Sequence, residues 1–179
     1  MQAFDSLSRD IQQYIYDKGW PSLTSIQNAA IKQVANTDHN LILSAPTASG
    51  KTEAAFIPAL NSVEDWETGL KVLYISPLKA LINDQFQRIS ELSEYLDIPI
   101  TRWHGEVSQA QKRKVVNQPK GVLLITPESI EGMLVNRPGE AQHLFKGVEW
   151  IIIDELHSFL GTERGIHLQS LLQRISQFM

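Results

Sequence analysis

No cysteine occurs among the 179 residues, so disulfides, cysteine-ligated zinc and thiol catalysis are excluded. The five histidines are scattered, without the spacing of a zinc site. A leader is missing from the sequence as well: Met1-Gln2-Ala3-Phe4-Asp5-Ser6 has neither the basic start nor the apolar stretch of a signal peptide. No apolar run approaches the ~20 residues a membrane helix needs, so a cytoplasmic protein with no membrane partner is expected. Excess positive charge is also lacking. A net charge of −4 argues against a surface coated for nonspecific nucleic-acid binding, but backbone amides and helix N-termini can still hold phosphates locally. There is no internal repeat and no low-complexity tract. What remains is 42% hydrophobic and 20% charged, a globular composition long enough for one domain spanning 1–179.

The most informative stretch is Ala45-Pro46-Thr47-Ala48-Ser49-Gly50-Lys51-Thr52. The apolar Leu41-Ile42-Leu43 leads into it and the helix formers Glu53-Ala54-Ala55-Phe56 follow, so the expectation is strand, phosphate loop, helix. Small residues let successive backbone N–H groups turn inward around phosphate oxygens, and Gly50 allows close approach. Lys51 would reach the β- and γ-phosphates, the Thr52 hydroxyl would hold Mg²⁺, and the helix dipole favours the anion. ATP and Mg²⁺ are therefore the expected cofactors, held by Ala45, Thr47, Ala48, Ser49, Gly50, Lys51 and Thr52. The first position is Ala45 where G-x-x-x-x-G-K-[ST] has glycine.

Along the chain, Leu7, Ile11, Tyr14 and Ile15 recur at helical spacing until Gly19. Thr24-Ser25-Ile26-Gln27 opens a second helix through a capping box. Strands are expected at Lys71–Ile75, Ile100–Trp103, Val122–Thr126 and Trp150–Ile153. Between them, Leu78, Ile82, Phe86, Ile89, Leu92 and Leu96 trace one helical face. Ser108 caps a basic helix carrying Lys112-Arg113-Lys114, and Pro127 opens another helix. Gly132–Gly139 leads out of that helix, and Gly161–Gly165 is expected as a loop before a final helix. Short, nearly all-apolar strands alternating with helices predict an α/β fold, a parallel sheet with helices on both faces. Asp154-Glu155-Leu156-His157 directly follows an apolar strand, and parallel sheets present ligand groups at strand carboxyl ends. Asp154 is thus placed to hold Mg²⁺ and Glu155 to orient or deprotonate water. Alternatively, the two acids mark a helix N-terminus.

Ala45–Thr52, Ser76-Pro77-Leu78-Lys79-Ala80-Leu81, Trp103-His104-Gly105, Thr126-Pro127-Glu128-Ser129 and Asp154-Glu155-Leu156-His157 together resemble, in order, motifs I, Ia, the glycine motif, Ib and II of superfamily-2 helicases. With Arg164-Gly165-Ile166-His167-Leu168, the set is most similar to the large-helicase-related (Lhr-like) branch. The resemblance implies a RecA-like P-loop NTPase domain with catalytic Lys51, Asp154 and Glu155. It implies that 1–36 is a Q-motif-like helical portion in which Gln27 reads adenine, although Thr24 and Gln27 equally form a capping box, and that Phe4 stacks on the base. Pro77, Lys79, Ala80, Thr126 and Glu128 would grip the backbone of a single nucleic-acid strand, DNA or RNA, and His157 would couple that grip to ATP. Arg102 and Arg164 are further candidate phosphate contacts or solvated surface groups.

The family pattern also implies a motif III strand and a second RecA-like domain with arginine fingers, both missing from these residues. The chain therefore reads as truncated before motif III. Since an arginine finger contributes about 10³–10⁵ in rate, very slow hydrolysis is expected. The competing functional readings are a noncatalytic interaction module and a small phosphate-loop kinase, which would need an acceptor site and a lid.

Overall fold

The computed structural model describes residues 3–46 and 48–179. Its contacts divide the chain into two compact units, residues 1–64 and 65–179.

The first unit is helical. Helix α1 (Arg9–Asp17) is capped by the Ser8 hydroxyl, which accepts from Ile11 N, and it buries Ile11, Tyr14 and Ile15. These are the residues whose spacing predicts it. Trp20 meets the Tyr14 ring edge-on at 6.1 Å between centroids. Helix α2 (Ser25–Asn36) begins with the expected capping box, Thr24 and Gln27 each satisfying the other's backbone N–H. Helix α3 (Lys51–Ser62) packs against α2. Asn61, near the end of α3, accepts from Ser8 N at 2.6 Å and donates to Ser6 O at 3.2 Å, fixing α3 to the start of α1.

The strand expected at Leu41-Ile42-Leu43 does not form. Residues 37–46 have no regular secondary structure, and Ile42 is 81% exposed. A strand exists only through hydrogen bonds to a neighbour. An apolar triplet supplies the side chains for a strand but not its partner.

The second unit is a parallel sheet. Strands β1 (Gly69–Ile75), β2 (Ile100–Trp103), β3 (Lys120–Ile125) and β4 (Trp150–Ile153) lie in the order β2-β3-β1-β4. Tyr74 stands opposite both Leu124 and Ile152. Joining them are α4 (Lys79–Tyr95), α5 (Gln109–Asn117), α6 (Pro127–Asn136) and α7 (Pro138–Phe145), and α8 (Glu163–Ile175) follows β4. The strand order dictates the layers. From β1 the chain moves two places one way to β2, then turns back. Right-handed crossovers then put α4 on one face and α5, α6 and α7 on the other.

The packing agrees. Leu73, Ile75, Leu123 and Ile125 point into a core with Ile130, Met133, Leu144, Phe145, Leu168 and Leu171. The alternate residues Val72, Tyr74, Val122 and Leu124 are buried outside that cluster, as are Ile82, Ile89 and Leu92 of α4, which packs on β2 and β3. Leu78, expected on the buried face of α4, is the exposed N-cap.

Two further boundaries differ from expectation. Helix α7 occupies part of a region read as an exit loop: Pro138 is its first residue and Ala141, Leu144 and Phe145 are its buried face. Helix α8 begins at Glu163, inside the expected loop, capped by Thr162. Gly165 in its first turn is required by space, since a Cβ there would lie 2.0 Å from Phe159 O.

Candidate functional site

In the first unit, the predicted phosphate-binding residues form the turn into α3. Gly50 is the N-cap, with φ +82° and ψ +29°, and Ala48 also takes a positive φ of 59°. The left-handed residue at 50 opens the N-terminus of α3, whose first N–H groups lack intrahelical partners. Lys51 folds back over the turn, its ammonium donating to Ala45 O at 2.5 Å and Pro46 O at 3.1 Å. The Ser49 hydroxyl is buried and, among the described residues, has no hydrogen-bond partner. Thr47 lies outside the described residues.

Gln27, 4% exposed, joins this turn. Its Oε1 accepts from Thr24 N at 2.9 Å and its Nε2 lies 3.5 Å from Gly50 O. A Cβ on Gly50 would meet that Nε2 at 2.5 Å. The capping box and the contact with the turn therefore coexist in one side chain.

In the second unit, the remaining candidates gather at the carboxyl ends of the strands. Asp154 continues the ladder of β4, its N–H donating to Ile75 O at 2.9 Å. Its Oδ1 accepts from Glu155 N at 3.0 Å, and Glu155 adopts φ +49° and ψ +43°. The Tyr74 hydroxyl has its pKa pushed far up, first by burial, then by the charge of Asp154 and a hydrogen bond to it. Tyr74 thus serves Asp154 as a fixed donor. His157 is largely exposed and sits 3.2 Å from Glu155 Oε2 through Nδ1.

Pro77 and Glu128 meet through Arg164. From the first turn of α8, Arg164 Nη2 donates to Pro77 O at 2.9 Å and to Glu128 Oε1 at 2.6 Å, and Nε reaches the same carboxylate oxygen at 3.1 Å. Its guanidinium also lies 5.5 Å from the Phe159 ring centre. Thr126 caps α6 through Ser129 N at 3.3 Å. Lys79 is ion-paired with Glu106, and Ala80 beside it is exposed.

Arg102, weighed as a phosphate contact, is turned to α4. It donates to Asn83 Oδ1 at 2.8 Å and stacks over Phe86 at 4.8 Å. His104 Nε2 reaches the same Asn83 oxygen at 3.2 Å, while its Nδ1 accepts from Glu106 N at 3.4 Å. The two bonds assign the Nε2–H tautomer, and burial depresses the imidazole pKa, so the ring is neutral.

Sequence reasoning missed Tyr74, Asn83 and Glu106. Each acts by pairing across strands or loops, which residue identity alone does not encode. The signal available for Tyr74 was a lone hydroxyl one residue before the end of an apolar strand.

This parallel sheet and its strand-end motifs have a family. The DEAD/DEAH box helicase model matches residues 24–179, and the chain belongs to that family. Its sequence is similar to Lhr helicases. It is 33% identical over 168 residues to the ATP-dependent helicase Lhr-Core of Saccharolobus solfataricus, covering 86% of this chain and 19% of that protein. It is 34% identical over 180 residues to the Lhr helicase/uracil glycosylase of Escherichia coli, covering 87% and 11%. The structure of Mycobacterium smegmatis helicase Lhr bound to ssDNA and AMP-PNP superposes with a TM-score of 0.86 at 28% identity, over 99% of this chain and 24% of that one. The fold is that of RecA-like helicase domains, and the chain spans between about a tenth and a quarter of the length of these relatives.

Proposed function

We propose that the chain is the ATP-binding part of a helicase motor that works on a nucleic-acid strand. The observation that carries this is the turn before α3. A left-handed Gly50, a buried Ser49 hydroxyl without a partner and a lysine lying over the turn suit a triphosphate. The relatives solved with AMP-PNP add support. To bind phosphate, Lys51 would exchange the Ala45 and Pro46 carbonyls for phosphoryl oxygens.

A hydroxyl and a carboxylate are hard oxygen donors of the kind Mg²⁺ takes, and we assign that role to Thr52 and Asp154. Tyr74 and the Glu155 N–H would hold the Asp154 carboxylate in one orientation. Glu155 would position water, and its contact with His157 makes that histidine the natural relay. In the Mycobacterium smegmatis Lhr structure the strand is single-stranded DNA by name. Here Pro77, Lys79, Ala80, Thr126 and Glu128 would hold its backbone. Gln27, as an amide, could both donate to and accept from an adenine edge, and its hold on Thr24 would make adenine reading depend on the capping box.

The test is direct titration of Mg·ATP. Wild type should bind, and Lys51→Ala and Asp154→Asn should each lose most of the affinity. A wild-type chain that binds strand but no nucleotide would assign it to the noncatalytic interaction modules instead. Turnover by the 179 residues alone should be slow, since the family pattern takes its arginine finger from a second domain.

A further inference from the structure

The second unit contains a cleft of about 330 Å³ where the carboxyl end of β2 meets α5 and α6. Trp103 and Met133 form apolar wall, Lys112 and Arg137 are its cations, and Gln109 and Asn136 add neutral polar groups. No carboxylate lines it, although acids outnumber bases in the chain as a whole. An adjoining cleft of about 210 Å³ shares Gln109, Lys112 and Arg137 and adds Arg113. Its single acid, Glu140, lies 3.5 Å from Arg137. The Lys112 ammonium sits 5.7 Å from the Trp103 ring centre, so the cation and the aromatic wall occupy the same end.

Location gives the cleft its meaning. Gly105 and Ser129 are among its lining residues. Gly105 adjoins Glu106, the partner of Lys79, and the Ser129 hydroxyl accepts from Thr126 Oγ1 at 2.9 Å. The cleft thus starts where the proposed strand-gripping loops end. Two cations in a lining without a carboxylate suit phosphodiester oxygens passing along the surface.

We infer that this cleft is a track for nucleic acid, taking a further stretch of the strand held at Thr126 and Glu128, with Lys112 and Arg137 as its phosphate contacts. The inference rests on the strand-binding part of the proposed function and extends the footprint beyond the motif loops to α5 and the α6–α7 junction.

The experiment uses the full chain and fluorescent oligothymidylates, one short enough to reach only the motif loops and one longer, titrated across a salt series. The Lys112→Gln/Arg137→Gln double variant should bind the short oligomer like wild type and the long one more weakly. For the long oligomer, its slope of log K against log salt should be shallower by about 1.4, two single-strand phosphate contacts at about 0.7 each. Lys114→Gln/Lys146→Gln, which removes two charges away from both clefts, should leave that slope unchanged. Equal binding of the long oligomer by wild type and the cleft variant would overturn the track while leaving the motif-loop reading intact. Equal weakening by the control variant would reduce the effect to general charge. Wild type binding neither oligomer would overturn the strand-binding reading and the track together. A matching loss of affinity for an acidic peptide, without loss for the long oligomer, would hand the cleft to a protein partner.

Discussion

Replacing Gly50 by alanine tests the joint between α2 and α3. Two costs can be read from the geometry. At φ +82° an L-residue is strained by roughly 1–2 kcal/mol. The new Cβ would also come within 2.5 Å of Gln27 Nε2, so the amide must move, and moving it breaks the bond by which Gln27 holds Thr24 N. Half a capping box is worth about 1 kcal/mol. The sum is about 2–3 kcal/mol, or a fall in Tm of roughly 5–10 °C for a chain of this size. Urea and thermal unfolding followed by circular dichroism would measure it. The discriminating measurement is a double-mutant cycle: in a Gln27→Ala background the steric part disappears, and Gly50→Ala should cost only the backbone strain, leaving a coupling of about 1 kcal/mol. Equal costs in both backgrounds, or an alanine variant as stable as wild type, would refute the claim that Gln27 fixes the turn.

Three further outcomes are expected. Glu131 accepts from both Nη atoms of Arg174 and pairs with His167 at 2.8 Å, and these bonds, Arg174 foremost, lower its pKa from 4.5 to about 2. A depressed carboxylate stabilises the fold above its unfolded pKa and loses that contribution as pH falls. The Tm gap between wild type and Glu131→Gln should therefore be full above about pH 5 and shrink towards about pH 2. Arg164→Ala should change stability by well under about 1 kcal/mol, because the pair is exposed. It should nonetheless speed hydrogen exchange in the loop at 76–78 and the first turn of α6 and weaken strand binding without touching nucleotide affinity, with Arg164→Lys recovering only part. Tyr74→Phe should cost about 1–2 kcal/mol, and that cost should fall away in an Asp154→Ala background, which leaves the hydroxyl no carboxylate to bond; the same penalty in both would remove Tyr74 from the account of Asp154.

Much of this was legible from residue identities because the controlling interactions are local. Ser108, Thr24 with Gln27, and Pro127 each sit within four residues of the N–H groups or dihedral angles they govern, and all three helices begin where these residues put them. The acids at 154 and 155 follow their strand as expected. Misreadings arose where a residue's usual meaning was overruled. Pro138-Gly139 looked like a break, yet proline is at home in a first helical turn, and α7 is held by apolar residues one turn further on. Gly165 looked like a loop residue but is small so that α8 can approach the Phe159 carbonyl. Leu41–Leu43 failed as a strand because pairing is not a property of one segment. Arg164 bridging Pro77 to Glu128 reaches back 87 positions to one partner and 36 to the other, beyond the reach of any short pattern.

Strand β4 has a consequence for handling the protein. Among the described residues its one neighbour in the sheet is β1, and its four residues, Trp150-Ile151-Ile152-Ile153, are partly buried and carry no charge. An uncharged aromatic and β-branched sheet border can recruit a strand from a neighbouring molecule. Solutions of this chain should therefore gain β-sheet signal and scatter light more as they are concentrated, and a lysine placed within this segment should keep them clear.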